Sequence, residues 1–280
     1  MSATTGRSAT QRQIERRSGP HIAPTFGRGF AVAGVYALVF VAAGLISGVD
    51  YDNLSKSASN VIGFVIIPVG LATGATLAIT ARWGWWQMVF HETQRLTWPR
   101  WRWVIPALFV LSIVTTLIVA PWHEWSTGLV LLILLGTLMV GFGEEIIFRG
   151  YLLVSARARY SEAGAWFVTS ALFGLFHGLN ILTGQSVRLT LQQIVIAFLM
   201  GSGLYLVRRI SGLLVVGMVI HAFWDFSTFI GAGRGADTGG VPKTIVAAPF
   251  TYGVILLTLV VLVGLFRRGK DVNAPLSARA

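Results

Sequence analysis

Leu131-Leu-Ile-Leu-Leu-Gly-Thr-Leu-Met-Val-Gly-Phe-Gly-Glu144-Glu145-Ile-Ile-Phe-Arg149 is apolar enough to cross a bilayer, yet it ends in two carboxylates and a guanidinium. A charge at the centre of a membrane helix costs roughly 2.5–3.5 kcal/mol on the insertion scale. A chain that keeps three of them in one segment uses them. Around this stretch the composition is of one kind: 280 residues, 54% hydrophobic and only 12% charged, about half the charged fraction of a soluble domain. The fold class that follows is all-α, a polytopic membrane helical bundle.

Apolar runs lie at about 29–49, 60–81, 103–121, 126–156, 163–183, 189–207, 212–231 and 244–266. Each has the roughly 20 residues that a bilayer-crossing helix needs, so the chain is expected to have about eight transmembrane helices. In the fourth run the carboxylates and Arg149 interrupt an apolar pattern that resumes at Gly150-Tyr-Leu-Leu-Val154, which predicts one long helix with a polar centre. Residues 1–28 are polar and basic without the apolar core of a cleaved leader. They read as a cytoplasmic tail, followed by a membrane domain over 29–266 and a second cytoplasmic tail over 267–280.

The net charge of +11 sits in short clusters between the apolar runs. That pattern is a topology signal rather than a nucleic-acid surface. With the N-terminus inside, the inner segments hold Arg7, Arg12, Arg16, Arg17 and Arg28, then Arg82, Arg95, Arg100 and Arg102, then Arg157 and Arg159, Arg208 and Arg209, and finally Arg267, Arg268, Lys270 and Arg279. The outer loops hold Lys56, Arg188, Arg234 and Lys243. This asymmetry places both termini in the cytoplasm. Trp83, Trp85, Trp86, Trp98 and Trp101, interleaved with the arginines of 82–102, predict a helix lying in the headgroup layer. There is no cysteine, which excludes disulfides, thiolate metal sites and cysteine nucleophiles.

The titratable residues of the apolar runs fall at one depth. Counting 1.5 Å per residue from the nearest inner loop, Glu144, His177, His221 and Asp225 all lie roughly 18–24 Å along their helices, as members of a shared cavity would. Glu145 and Arg149 are i,i+4 partners in the favourable order, and Glu144 is turned about 100° from Glu145 on the helical wheel. Glu145 is therefore read as one half of a structural ion pair with Arg149, which leaves Glu144 for chemistry. His221 and Asp225 share a face, and Gly174 and Gly178 flank His177 with small residues that admit a close neighbouring helix.

In order along the chain, Glu144-Glu145-Ile-Ile-Phe-Arg149, Phe173-Gly-Leu-Phe-His177 and His221-Ala-Phe-Trp-Asp225 resemble the CAAX protease and bacteriocin-processing family of intramembrane proteases, over about residues 126–231. The resemblance implies an intramembrane endopeptidase of a bacterial cell membrane, acting on a peptide or membrane-protein substrate. It implies that Glu144 and His177 activate a water while His221 and position 225 stabilise the oxyanion. Position 225 departs from the prenyl protease members, which carry Asn there. An ionised Asp cannot donate a hydrogen bond to an oxyanion, so Asp225 must be protonated, orient His221 or help to hold a metal.

Zinc held by Glu144, His177, His221 and Asp225 stays open as the alternative to a metal-free glutamate mechanism. No His-Glu-x-x-His is present, because His91-Glu92-Thr-Gln-Arg95 lacks the second histidine. Two other functions use the same residues: a non-enzymatic immunity or scaffold protein of this fold, and a proton-coupled transporter, since membrane Glu and His also mark ion pathways.

Overall fold

A computed structural model describes residues 20–93, 100–233 and 248–268. Most of the expected N-terminal tail, most of the C-terminal tail, and Arg95, Trp98, Arg234 and Lys243 lie outside the described residues. Among the described residues, eight helices are long and apolar enough to cross a membrane: α1 Phe26–Ser47, α2 Ala58–Trp83, α3 Arg100–Ile118, α4 Thr127–Ala156, α5 Glu162–Thr183, α6 Val187–Ser211, α7 Leu214–Ala232 and α8 Ala248–Phe266. The described residues contain no β-strand, only an isolated antiparallel bridge between His91 and Leu213. The all-α polytopic bundle expected from the apolar runs is the architecture found.

Local chemistry sets where these helices start and stop. Thr25, Ser57, Ser126, Ser161 and Ser186 each cap a helix N-terminus by accepting a backbone N–H three residues on, which satisfies donors that a membrane helix cannot leave bare. At the other end Gly48, Gly84, Gly184 and Gly212 take φ between 65° and 95°, left-handed geometry that favours glycine.

Half of the central stretch of α4 and of α7, and 56% of that of α6, is buried, against 22–33% for the other helices. These three therefore form the inside of the bundle. The outer helices turn Leu38, Ile46, Ile118 and Leu256 outward, the apolar surface that lipid requires. Behind it lies one core of Ile105, Phe109, Leu204, Leu206 and Leu262. A second joins Tyr36, Trp85, Ile147, Tyr151 and Leu214.

Three features depart from the plain helical reading. First, α4 continues through its polar centre as one span, but Ile146–Leu152 adopts π geometry; so does Ile62–Ile66 within α2. Second, α5 leaves α-geometry at Phe176 and finishes as a 3₁₀ turn over His177–Thr183. Third, the tryptophan-rich segment is not one headgroup-layer helix. It is broken into Trp86–Phe90 and Arg100–Trp103, with Trp86 and Trp101 exposed but Trp85 fully buried. The Trp85 indole donates to Ile22 O at 2.7 Å and stacks on Tyr151. A ring whose N–H finds a carbonyl inside is better placed in the core than among headgroups.

Candidate active site

The site begins where α4 and α7 touch. A Cβ on Gly141 would come within 2.7 Å of Ala222 N and Met218 O, so only glycine lets the two backbones meet there. One turn further along α4 are Glu144 and Glu145, and across from them on α7 is His221. Glu145 is completely buried and takes two charged or polar partners: Arg149 Nη1 at 2.7 Å and His221 Nδ1 at 3.1 Å. The ion pair read from the i,i+4 spacing is thus present. The same carboxylate also orients an imidazole that spacing alone did not connect to it.

With Nδ1 held by Glu145, the opposite ring nitrogen of His221 points at two more carboxylates. Its Nε2 lies 3.5 Å from Asp225 Oδ2 and 3.8 Å from Glu144 Oε2. An imidazole has at most two N–H groups, so three carboxylates around one ring compete for its protons. Glu144 Oε2 is buried with no hydrogen-bond partner among the described residues, the condition of a group that is spared from structural duty.

His177 opens the 3₁₀ turn of α5. Its Nδ1 lies 2.9 Å from Phe173 O, to which it donates, so in the neutral ring Nε2 is the acceptor. Phe173 stands edge to face against both imidazoles, with ring centroids 5.0 Å from His177 and 5.6 Å from His221. The Arg149 guanidinium lies 4.0 Å from the centroid of the same ring. One aromatic side chain therefore spaces the histidines apart and shields the buried cation. Helix α5 is held against α6 at Gly174, where a Cβ would meet Ile194 O at 2.7 Å.

These residues line a two-lobed cavity. One lobe, about 210 Å³, is walled by aromatic and aliphatic side chains of α1, α2 and α4 and reaches Glu144, His177 and Asp225. The other, about 480 Å³, reaches His177, His221 and Asp225 and is bordered by Gln185, Gln192 and Gln193. His177, Gln193, Asp225 and Thr228 belong to both walls, so the lobes meet where the titratable groups converge. Glu144 and His177 line the first lobe together. The amide lining of Asn180 and Gln193 is not singled out by the sequence reading. Its only signal there is the presence of uncharged amides inside apolar helices, where each costs free energy unless satisfied.

The fit to a metal is poor. Among the described residues no three His, Asp or Glu side chains are grouped to hold one.

Behind the site, toward the end of α4, lies a second polar layer. Arg157 donates to both oxygens of Glu92 at 2.9 and 3.1 Å and to Glu162 at 2.7 Å. Glu162 also pairs with Arg209 and accepts from Tyr205 Oη at 2.7 Å. Burial acts to raise the Glu92 carboxyl, but the charges of Arg157 and Arg208 outweigh it and hold the group below the usual carboxylate range. Burial likewise works against the Arg157 cation and is overcome by Glu162 and Glu92, which hold it above its ordinary value. Arg208 joins this layer to the site: it donates to Arg149 O in the π segment and to Met88 O and His91 O at 2.8 and 3.0 Å. The arginines counted as inner-loop charges are therefore of two kinds, with Arg159 exposed and Arg157, Arg208 and Arg209 buried and paired.

Residues 125–227 match the family described as type II CAAX prenyl endopeptidase Rce1-like. The match covers all three motifs, and the likeness to CAAX proteases read from them holds over that segment. No curated protein matches the chain.

Proposed function

We propose that this membrane chain, with its Rce1-like segment, is an intramembrane endopeptidase in which Glu144 and His177 activate a water and His221 stabilises the oxyanion. The family implies protease activity in the membrane. The assignment of roles rests on one observation above the others: Glu144, His177 and Asp225 line a single cavity inside the bundle, with His221 Nε2 between the two carboxylates.

In this reading Glu144, buried and with no hydrogen bond made by Oε2 among the described residues, removes a proton from the attacking water, and His177 Nε2 accepts the second hydrogen bond that aligns it. The water oxygen bonds to the carbonyl carbon and the carbonyl becomes an oxyanion. His221 Nε2–H, with Nδ1–H anchored on Glu145, donates to that oxygen; Asp225 keeps the ring turned toward the cavity. Preorganised donors of this kind supply the largest electrostatic share of such catalysis. On collapse the proton held by Glu144 passes to the departing amine. The carboxylate at position 225 thus orients His221 and need not donate itself. The arginine clusters of the sequence support cytoplasmic termini.

The test is cleavage of an internally quenched peptide carrying a farnesylated Cys-aliphatic-aliphatic-X end by purified protein in lipid nanodiscs. Glu144→Ala and His177→Ala are expected to abolish turnover while inserting normally. Turnover at the wild-type rate by either variant defeats the assignment. A cellular phenotype complemented by Glu144→Gln would instead point to a binding or immunity role, and proton flux into liposomes to a transporter.

A further inference from the structure

The amide pair beside the site has bonding capacity that the bundle itself does not use. Asn180 Nδ2 donates to Gln193 Oε1 at 3.0 Å, and Gln193 Nε2 donates to Tyr51 Oη at 3.0 Å. In this arrangement the pair uses one N–H of each amide and the Gln193 oxygen. Among the described residues, Asn180 Oδ1 and the remaining N–H of each amide have no further partner, and both side chains line the lobe that holds Glu144 and His177. Asn180 is 6% exposed. Its backbone carbonyl accepts from Thr183 Oγ1 and from the Gln185 N–H, both at 3.1 Å, so the side chain is held on a closed turn.

The 3₁₀ geometry gives this a direction. At three residues per turn, positions i and i+3 fall on one face, so Asn180 stands directly beside His177. An extended chain has N–H and C=O groups with no partner of their own, and inside a membrane protein the cavity wall must supply partners for them. Side-chain amides offer an acceptor oxygen and two N–H donors without a net charge.

We infer that Asn180 and Gln193 form a binding site for the substrate main chain: Asn180 Oδ1 accepts a peptide N–H next to the scissile bond, and the spare Gln193 N–H donates to a neighbouring carbonyl. This rests on the peptidase reading of the cavity and adds what holds the chain there. It makes the site selective for an unfolded, extended peptide and indifferent to the side chains at those two positions.

Binding is the readout, so that cleavage is not needed. A dye-labelled peptide with a farnesylated Cys-aliphatic-aliphatic-X end is titrated by anisotropy against Glu144→Gln protein in nanodiscs. It is used intact and with each of the three amides nearest the cleavage point replaced in turn by an ester, which deletes one N–H. One ester is expected to weaken binding about 5–10-fold, the worth of a hydrogen bond with its partner left bare. Adding Asn180→Ala should weaken the intact peptide similarly and erase that ester penalty. Adding Gln193→Ala should also weaken binding but leave the ester penalty in place, which separates main-chain recognition from damage to the wall. Additive losses with Asn180→Ala, an unchanged affinity, or no binding of the intact peptide overturns the assignment. Coupled binding without cleavage by the wild type leaves the clamp standing and removes the peptidase reading instead.

Discussion

Glu145→Ala removes the carboxylate that both Arg149 and His221 use, and its two consequences can be separated. Arg149 is 2% exposed and its nearest counter-charge, at 2.7 Å, is Glu145. Truncating Glu145 leaves a buried guanidinium uncompensated, which costs about 3–5 kcal/mol. Replacing both partners by apolar residues, Glu145→Ala with Arg149→Met, removes the stranded charge as well, and such exchanges are near neutral. The double variant is therefore expected to recover most of the lost stability. Activity should not return with it. His221 Nδ1 still lacks the acceptor that sits 3.1 Å away in the wild type, and losing an orienting partner of a catalytic imidazole costs roughly 10–100-fold by comparison with metal-bound histidines. The assay pairs thermal unfolding in detergent with turnover of the quenched peptide, for both single variants and the double. A double variant as unstable as Glu145→Ala refutes the charge argument. A double variant with wild-type turnover refutes the orienting role.

Gly141→Ala should destabilise the bundle by about 1–3 kcal/mol, because its Cβ would press on backbone atoms of α7 rather than on a flexible side chain; an unchanged melting temperature contradicts this. Asp225→Asn should keep most of the activity, since an amide of the same shape still stands beside His221 Nε2, 3.5 Å away in the wild type, whereas Asp225→Ala should lose about 10²-fold; equal losses in a kcat comparison count against the orienting role. The Glu92 carboxyl is held low by Arg157 and Arg208, so its contribution is fully present above the unfolded value near 4.3 and is lost as pH falls through the folded value. Below about pH 4.3, wild type should lose melting temperature more steeply than Glu92→Gln, and parallel curves refute the linkage.

Hydropathy made the eight spans readable because lipid leaves a helix few alternatives, and the serine and threonine caps explain why Ser126, Ser161 and Ser186 mark starts within a few residues of the apolar runs. The convergence of Glu144, His177, His221 and Asp225 was likewise legible, through helix rise alone. Three things were hidden. The departure of α4 from α-geometry has no distinctive compositional mark, since the weak helix formers Ile146, Ile147 and Gly150 have counterparts upstream in Val140, Gly141 and Gly143, where the helix stays regular. The burial of Arg157, Arg208 and Arg209 depends on Glu92 and Glu162, and apart from the local Arg157–Glu162 pair these carboxylates reach them only through the fold. The link from His221 to Glu145 joins residues 76 positions apart, and spacing within one helix says nothing about such a pair.

The widened turn after Glu145 works as a phase adjuster. A π turn closes its hydrogen bonds one residue later than an α turn, which slips the helix face by about 100°. Upstream, α4 aims its carboxylates at α7. Downstream, it offers Tyr151 to Trp85 and Ser155 to Gly29 on α1. Deleting a single residue from 146–152 would bring the two halves back into step and turn one of these faces away from its neighbour. Arg208, clasping Arg149 O, sits where that slip is locked.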